Sequence, residues 1–475
     1  MNPQVAFKTI VIHILEVFEN LWLLTHYTIR FCAILCKPYL FAIIFIFNQK
    51  FLHMDTTSLF QTLSPLPIPL YLSQCVVHKH EILICGGEYK RDCYSYHILK
   101  DQYKRICSYP KDVTPRGHCI VKYISNENID EVNLLSLGGV YEHSLIMKYV
   151  SVWNDNDVEM KKMSDRNEWL PFTDNQNKSI CISKKKDGYE GMRAVIGGSN
   201  NHLLFIFYFH NNIDVFDLNL RQYINHNTLP MDMHYIFYHC FVLKKNYERT
   251  STKKNLNSKK NEMLLFCENV GLSIDYDESS NTFQFHKLWV CTTMRTFRSC
   301  AYVCINDFIL FFGGWNGYIS SDISQEVHKY SMKEKKWIKF EQKLPFILRD
   351  FIGVLNEDST CIHFLGGRDK KDCAMSVHIT TNISEWTKKE TEKEREWMAQ
   401  EEGIREGEEI KVEIESTRKE LKGIKQGFDI TKLKVELLSF FFSFFCSLSK
   451  SFYNILIFKK KKKKKKKTQR SQNDN

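Results

Sequence analysis

The sequence predicts an all-β chain assembled from a repeated four-stranded unit, and three observations predict it. The best-formed unit runs from Ser299 to Pro345: SCAYVCINDFILFFGGWNGYISSDISQEVHKYSMKEKKWIKFEQKLP. Its strand Ile309 to Phe312 is apolar on both faces, as a strand in the middle of a sheet must be. Gly313-Gly314 follows at once, giving the positive φ and close backbone approach that a crowded sheet end demands. An amphipathic strand then ends at Tyr330, a charged turn of Lys333-Glu334-Lys335-Lys336 is too polar to bury, and a last strand opens with Trp337. Such a unit cannot bury both faces alone, so it needs neighbours of its own kind.

The unit recurs with decay. The glycine doublet reappears as Gly86-Gly87 in EILICGG, Gly138-Gly139 in NLLSLGG and Gly366-Gly367 in CIHFLGG. Two further units, around 202–209 and 263–267, lack it, and Gly197-Gly198 in AVIGG falls one strand too early and is read as out of register. A second spacing is steadier. Tyr330 and Trp337 are seven apart, as are Tyr96 and Tyr103, Phe216 and Tyr223, Tyr276 and Phe283, and Ile379 and Trp386. In one unit a polar insertion separates Tyr149 from Trp169. With a glycine doublet, then a Tyr, then a Trp, the pattern resembles the kelch repeat, whose period is near fifty residues. Six units are counted, at roughly 68–110, 117–172, 192–230, 238–289, 299–345 and 351–386, and they imply a six-bladed β-propeller.

Ring closure has two competing candidates. In SLFQTLSPLP, Leu59 precedes Pro67 by eight residues, as Trp337 precedes Pro345 in KWIKFEQKLP. A last strand that arrives before its first three would pair with the final blade and remove an open sheet edge. Trp386 competes for that place, but the TKKETEKERE that follows it is too charged for a packed strand, so Leu59 to Leu63 is preferred. The propeller is therefore expected at 58–386. The polar stretches 154–190 and 244–262 are expected as loops between strands.

The rest of the chain falls into three parts. Residues 1–57 are apolar, but Lys8, His13, Glu16, Glu19, Arg30 and Lys37-Pro38 interrupt them, and the clean run from Tyr39 to Phe47 is too short to cross a bilayer. Residues 387–436 carry 14 acids against 12 bases and read as a charged helix or disordered linker without a sustained heptad. Residues 437–475 combine an apolar run, Leu437 to Phe458, with nine lysines from Lys459 to Lys467. That run is long enough to span a membrane and the lysines would suit anionic lipid, although A-rich and T-rich nucleotide tracts would encode the same sequence. The net charge of +11 is misleading, because residues 437–475 hold +10 of it. The balanced remainder gives no reason to expect a nucleic-acid partner. Sixteen cysteines, spread thinly and with no CxxC pair, read as buried hydrophobes of a reduced, cytoplasmic protein, or a membrane-associated one if the 437–458 run inserts.

No catalytic triad, phosphate loop or metal-ligand set stands out. His78 and His80 alternate on a strand without a third ligand, so neither cofactor nor metal is expected. The kelch resemblance implies that the loops before each inner strand and after each doublet share a binding face. The matching residues are Arg116, His118, His239, Arg298 and Arg349 before inner strands, and Tyr141, Trp315, Asn316, Arg368 and Asp369 after doublets. Arg, Tyr and Trp are the residues that hot spots favour, and a ring of them suits an acidic or extended peptide; the competing reading is that these side chains tie neighbouring blades together. The expected function is a non-catalytic scaffold for an unidentified protein or peptide. The resemblance also admits a galactose-oxidase-like or sugar-isomerase enzyme, or a membrane-tethered adaptor.

Overall fold

The computed structural model describes residues 59–123, 132–153, 166–182, 188–230, 236, 238–244, 260–317, 322–423 and 440. The apolar N-terminal stretch 1–57, most of the two loop insertions, and all of 424–475 except Phe440 lie outside the described residues.

Six four-stranded antiparallel sheets form a six-bladed β-propeller. The chain begins with a two-residue strand, β1 (Gln61–Thr62). Blade one holds β2 (Gln74–His78), β3 (Glu81–Gly87), β4 (Lys90–His97) and β5 (Gln102–Ser108). Blade two holds β6 (His118–Tyr123), β7 (Val132–Gly138), β8 (Ser144–Tyr149) and β9 (Leu170–Pro171). Blade three holds β10 (Arg193–Gly197), β11 (Leu203–Tyr208), β12 (Asn212–Asp217) and β13 (Gln222–Thr228). Blade four holds β14 (Cys240–Leu243), β15 (Lys260–Cys267), β16 (Val270–Asp277) and β17 (Thr282–Leu288). Blade five holds β18 (Ala301–Ile305), β19 (Phe308–Phe312), β20 (Val327–Ser331) and β21 (Lys336–Lys339). Blade six holds β22 (Ile352–Leu355), β23 (Cys361–Leu365) and β24 (His378–Asn382), with β1 completing it.

Closure uses the N-terminal strand. Gln61 pairs with Thr380 and Thr62 with Ile379. The seven-residue spacing from Ile379 to Trp386 therefore does not make the strand pair it makes elsewhere. The Asn382 side chain accepts a hydrogen bond from the Ser384 amide and turns the chain into a 3-10 helix, Ile383–Trp386. The Trp386 ring packs instead on Phe312, Phe340 and Phe60. In the other four cases the spacing marks cross-strand partners: Tyr96 faces Tyr103, Phe216 faces Tyr223, Tyr276 faces Phe283 and Tyr330 faces Trp337. A seven-residue step places two aromatics side by side across a hairpin, where such pairs stabilise a sheet. In blade two, Trp169 stacks on Tyr109 with centroids 4.8 Å apart.

The apolar side chains form six cores, one between each pair of adjacent blades. Phe205, Phe207, Met263 and Ile274 fill the junction of blades three and four. Leu66, Ile82, Tyr96, Val354 and Leu365 fill the closing junction of blades six and one. Central strands such as β3 and β11 are buried along their whole length, which is why they read as unbroken apolar runs. The doublets serve the turns as their composition requires. Gly86, Gly138, Gly313 and Gly366 have φ of 63°, 71°, 67° and 66°. A Cβ on Gly366 would run into the Leu70 carbonyl oxygen. The two blades without a doublet place His210, Asn211 and Glu268 in the same left-handed region.

The chain divides into two compact units, one reaching to Glu401 and the other beginning at Glu402. Helix α1 (Glu392–Gly423) runs through the boundary. In the first unit the opening turns of α1 lie against the propeller. The Glu394 carboxylate accepts the Glu341 and Thr391 amides, Glu401 accepts the Thr292 amide and hydroxyl, and Trp397 packs with the core between blades four and five. In the second unit, Arg405 bridges Glu402 and Glu409 along the helix surface. Among the described residues no helix is long and apolar enough to cross a membrane.

Candidate functional site

One face of the propeller carries the loops that precede each inner strand and those that follow each second strand. The inner strands share a backbone device that the sequence does not announce. Two residues before β2, β10, β14, β18 and β22, and one before β6, stand Leu72, Gly191, Tyr238, Ser299, Asp350 and Gly117, all left-handed with φ between 50° and 69°. At three junctions the amide of this residue donates to the carbonyl of its counterpart in the preceding blade: Leu72 to Asp350, Gly191 to Gly117 and Tyr238 to Gly191. These links draw the inner strands together around a channel mouth.

The side chains beside these residues form a belt. Arg116 lies 3.3 Å from both Glu88 of blade one and Glu190 of the loop before blade three, and donates to the Tyr89 hydroxyl. The Tyr238 hydroxyl donates to Glu190 at 3.1 Å, and the Tyr71 hydroxyl is hydrogen-bonded with Glu88. Arg368 stacks over Tyr71 and grips Asp350 through Nε and Nη2 at 3.0 and 2.6 Å. Arg349 lies over Trp315 of blade five and pairs with Asp350 and Asp372. Arg298 exchanges two backbone hydrogen bonds with Trp315 and pairs with Glu268 of blade four. The belt thus touches every blade. Burial works against the charge of Arg116 and Arg368, but the carboxylates outweigh it and raise both pKa values. Burial and then Glu190 raise the Tyr238 phenol.

The expected site residues divide accordingly. Arg116, Arg298, Arg349, Arg368 and Trp315 come together in the belt, but their charges and rings are turned to neighbouring blades. Tyr141 is 52 % exposed, beside the Arg116 loop through the hydrogen bond from the Val140 amide to the Arg116 carbonyl. Asn316 is half-buried, its amide donating to the Asp322 carbonyl. The Asp369 carboxylate caps its own loop by accepting the Lys371 and Cys373 amides. His118 and His239 are not on the face at all. They are 0 % and 1 % exposed, the first hydrogen-bonded to the Cys85 carbonyl and the second edge-on against Phe207. Each follows the left-handed residue, and the alternation of the strand turns it between blades. Among the described residues no three His, Cys, Asp or Glu side chains converge on a position that would hold a metal ion.

Inside the belt is a cavity of about 220 Å³, lined among others by Gln74, Cys119, Arg193, Tyr238, Ser299 and Asp350. Arg193 was not anticipated. Its guanidinium donates to the neighbouring Met192 carbonyl and lies 5.9 Å from the centre of the Tyr238 ring; unlike the belt arginines, it is paired with no carboxylate among the described residues. The nearest sequence signal was the shift from apolar to basic in GMRAV, at the start of an inner strand.

No family model matches the chain, and no curated protein matches it. Among solved structures, the chain is similar to one described as "Structure of YjhT", at 13 % identity and a TM-score of 0.44, over 68 % of this chain and 96 % of the other.

Proposed function

We propose that this chain is a kelch-type propeller that acts as a non-catalytic, cytoplasmic scaffold and receives an extended acidic segment of a partner protein on its belt face. Arg193 carries this reading. A guanidinium with a neutral carbonyl and a ring for company, lining a water-accessible cavity, retains donors for an incoming carboxylate, and charge-assisted pairs with Arg are among the stronger polar contacts. The cavity is smaller than the ~300 Å³ at which pockets for drug-sized ligands begin, so it suits one acidic side chain or a chain terminus better than a whole small molecule. Tyr89 and Tyr141, both about half exposed on adjoining blades, supply aromatic area beside it. The order of glycine doublet, Tyr and Trp supports the kelch assignment.

The test is fluorescence anisotropy of the full-length protein against labelled peptides that differ only in Asp or Glu content. Acidic peptides are expected to bind, and Arg193→Met to weaken them at least tenfold with an unchanged thermal midpoint. Equal binding of neutral peptides would remove the role of Arg193. Stoichiometric copper in the purified protein would replace the scaffold by an oxidase.

A further inference from the structure

Blade one carries four cysteines, and three of them, Cys85, Cys93 and Cys107, sit on three adjacent strands, where the binding face does not use them. Cys85 on β3 is the register partner of Cys93 on β4, and Cys93 is in turn the partner of Cys107 on β5. Direct partners in an antiparallel ladder have Cα atoms about 4.5–5.5 Å apart and side chains on one face, which falls within the range a disulfide spans. Cys93 therefore stands between two alternative partners. Trp169 Nε1 donates to its sulfur at 3.4 Å, and the Cys107 sulfur lies 3.8 Å from Met147 Sδ. Cys85 and Cys93 are fully buried, whereas Cys107, on the outermost strand, is partly exposed.

We propose that Cys107, Cys93 and Cys85 form a site of oxidative modification, in which hydrogen peroxide produces a Cys93–Cys107 disulfide that exchange then moves inward to Cys85–Cys93. Cys93, as the thiolate, attacks a peroxide oxygen; the O–O bond breaks, and the departing hydroxide takes a proton from solvent, giving a Cys93 sulfenic acid and one water. Cys107 attacks the sulfenic sulfur, an S–S bond forms, and the departing hydroxide takes the Cys107 proton as a second water. Two thiols are oxidised and one peroxide is reduced. In the exchange step Cys85 attacks the Cys93 sulfur and Cys107 leaves, recovering the Cys85 proton. The protonation pattern suits the first step. Burial alone would raise the Cys93 thiol, but hydrogen bonds from Cys107, Cys85 and Trp169 bring it well below its ordinary value. Donation to Cys93 and burial both raise Cys107.

Trypsin separates the three thiols, because Lys79, Lys90, Arg91, Lys100, Arg105 and Lys111 place them on fragments 80–90, 92–100 and 106–111. The full-length protein is treated with peroxide, free thiols are blocked, and the digest is read without reduction. A cross-link of 92–100 to 106–111 is expected first, with 80–90 to 92–100 appearing later at its expense. Cys93→Ser is expected to remove both links, and Cys107→Ser to slow the inner one. Blocked, unlinked cluster thiols after the exposed Cys181 and Cys373 have been consumed would overturn the proposal, as would sulfinic acids without any link. The wild-type map decides this by itself should Cys93→Ser fail to fold.

Discussion

The Arg349 guanidinium lies 4.3 Å from the centroid of the Trp315 ring, and this contact joins blade six to blade five. Both residues look like hot-spot material in the sequence. In the fold they face each other, and a stacked, largely buried cation is a structural tie before it is a contact for a partner.

Arg349→Ala is therefore expected to cost about 2 kcal/mol, measured by urea unfolding, because it also leaves Asp350 with one arginine fewer. A double-mutant cycle with Trp315→Ala should return a coupling of about 1 kcal/mol. Strict additivity would mean that the two do not interact.

Acid should unfold this protein through its histidines. Burial lowers His118, His328 and His378 to about 3, and His143 and His363 to about 4. Unfolded histidine titrates near 6.5, so below that pH the unfolded chain takes up protons that the folded chain refuses. The stability these groups contribute is present above pH ~6.5 and is lost as pH falls toward 4 and 3. Each adds about 1.4 kcal/mol per pH unit to the slope in the window between its two values. Urea midpoints should be level from pH 8 to 7 and drop steeply from 6 to 4.5. A flat profile down to pH 5 would show these rings to be protonated in the fold.

The closing strand is short enough to test directly. Phe60 packs against Phe364 and Trp386, with centroids 6.3 and 6.0 Å away. Phe60→Ala should cost about 2 kcal/mol, toward the lower end for a large core truncation because the ring is only partly buried. Deleting residues 1–62 should leave β24 with a bare edge and cause self-association on size exclusion. A monodisperse deletion variant would show that another segment seals the blade.

The first turns of α1 offer a local test. Trp397→Ala removes the ring packed near His328, 6.2 Å away. Amide exchange over 392–401 should accelerate about tenfold or more while the blade strands keep their protection. Loss of protection throughout would make the helix part of the global fold.

What the sequence reveals here depends on whether a residue type has a single reason for its place. Gly313 and Gly366 are legible because a left-handed turn in a crowded sheet end favours glycine. Tyr330 and Trp337 are legible because a cross-strand pair has a fixed step. Leu72, Tyr238 and Asp350 occupy a left-handed position equivalent to that of Gly117 and Gly191, and nothing in their chemistry advertises it. His118 and His239 looked like face residues because a one-residue shift along a strand, from the face to the interior, leaves composition unchanged. Trp386 kept the right spacing by coincidence, since Asn382 had already ended its strand. Arg193 escaped notice for the opposite reason: a single basic residue in an apolar strand has no pattern to belong to.

The Thr381 hydroxyl donates to the Leu59 carbonyl across 322 residues of chain. A ribosome that has finished five blades has therefore still made only an open arc, with unpaired strands at both ends and β1 idle. The last contact arrives with the final strand, so a transcript cut short upstream of β24 encodes no smaller propeller, only a sheet stack exposed for a chaperone or protease to find.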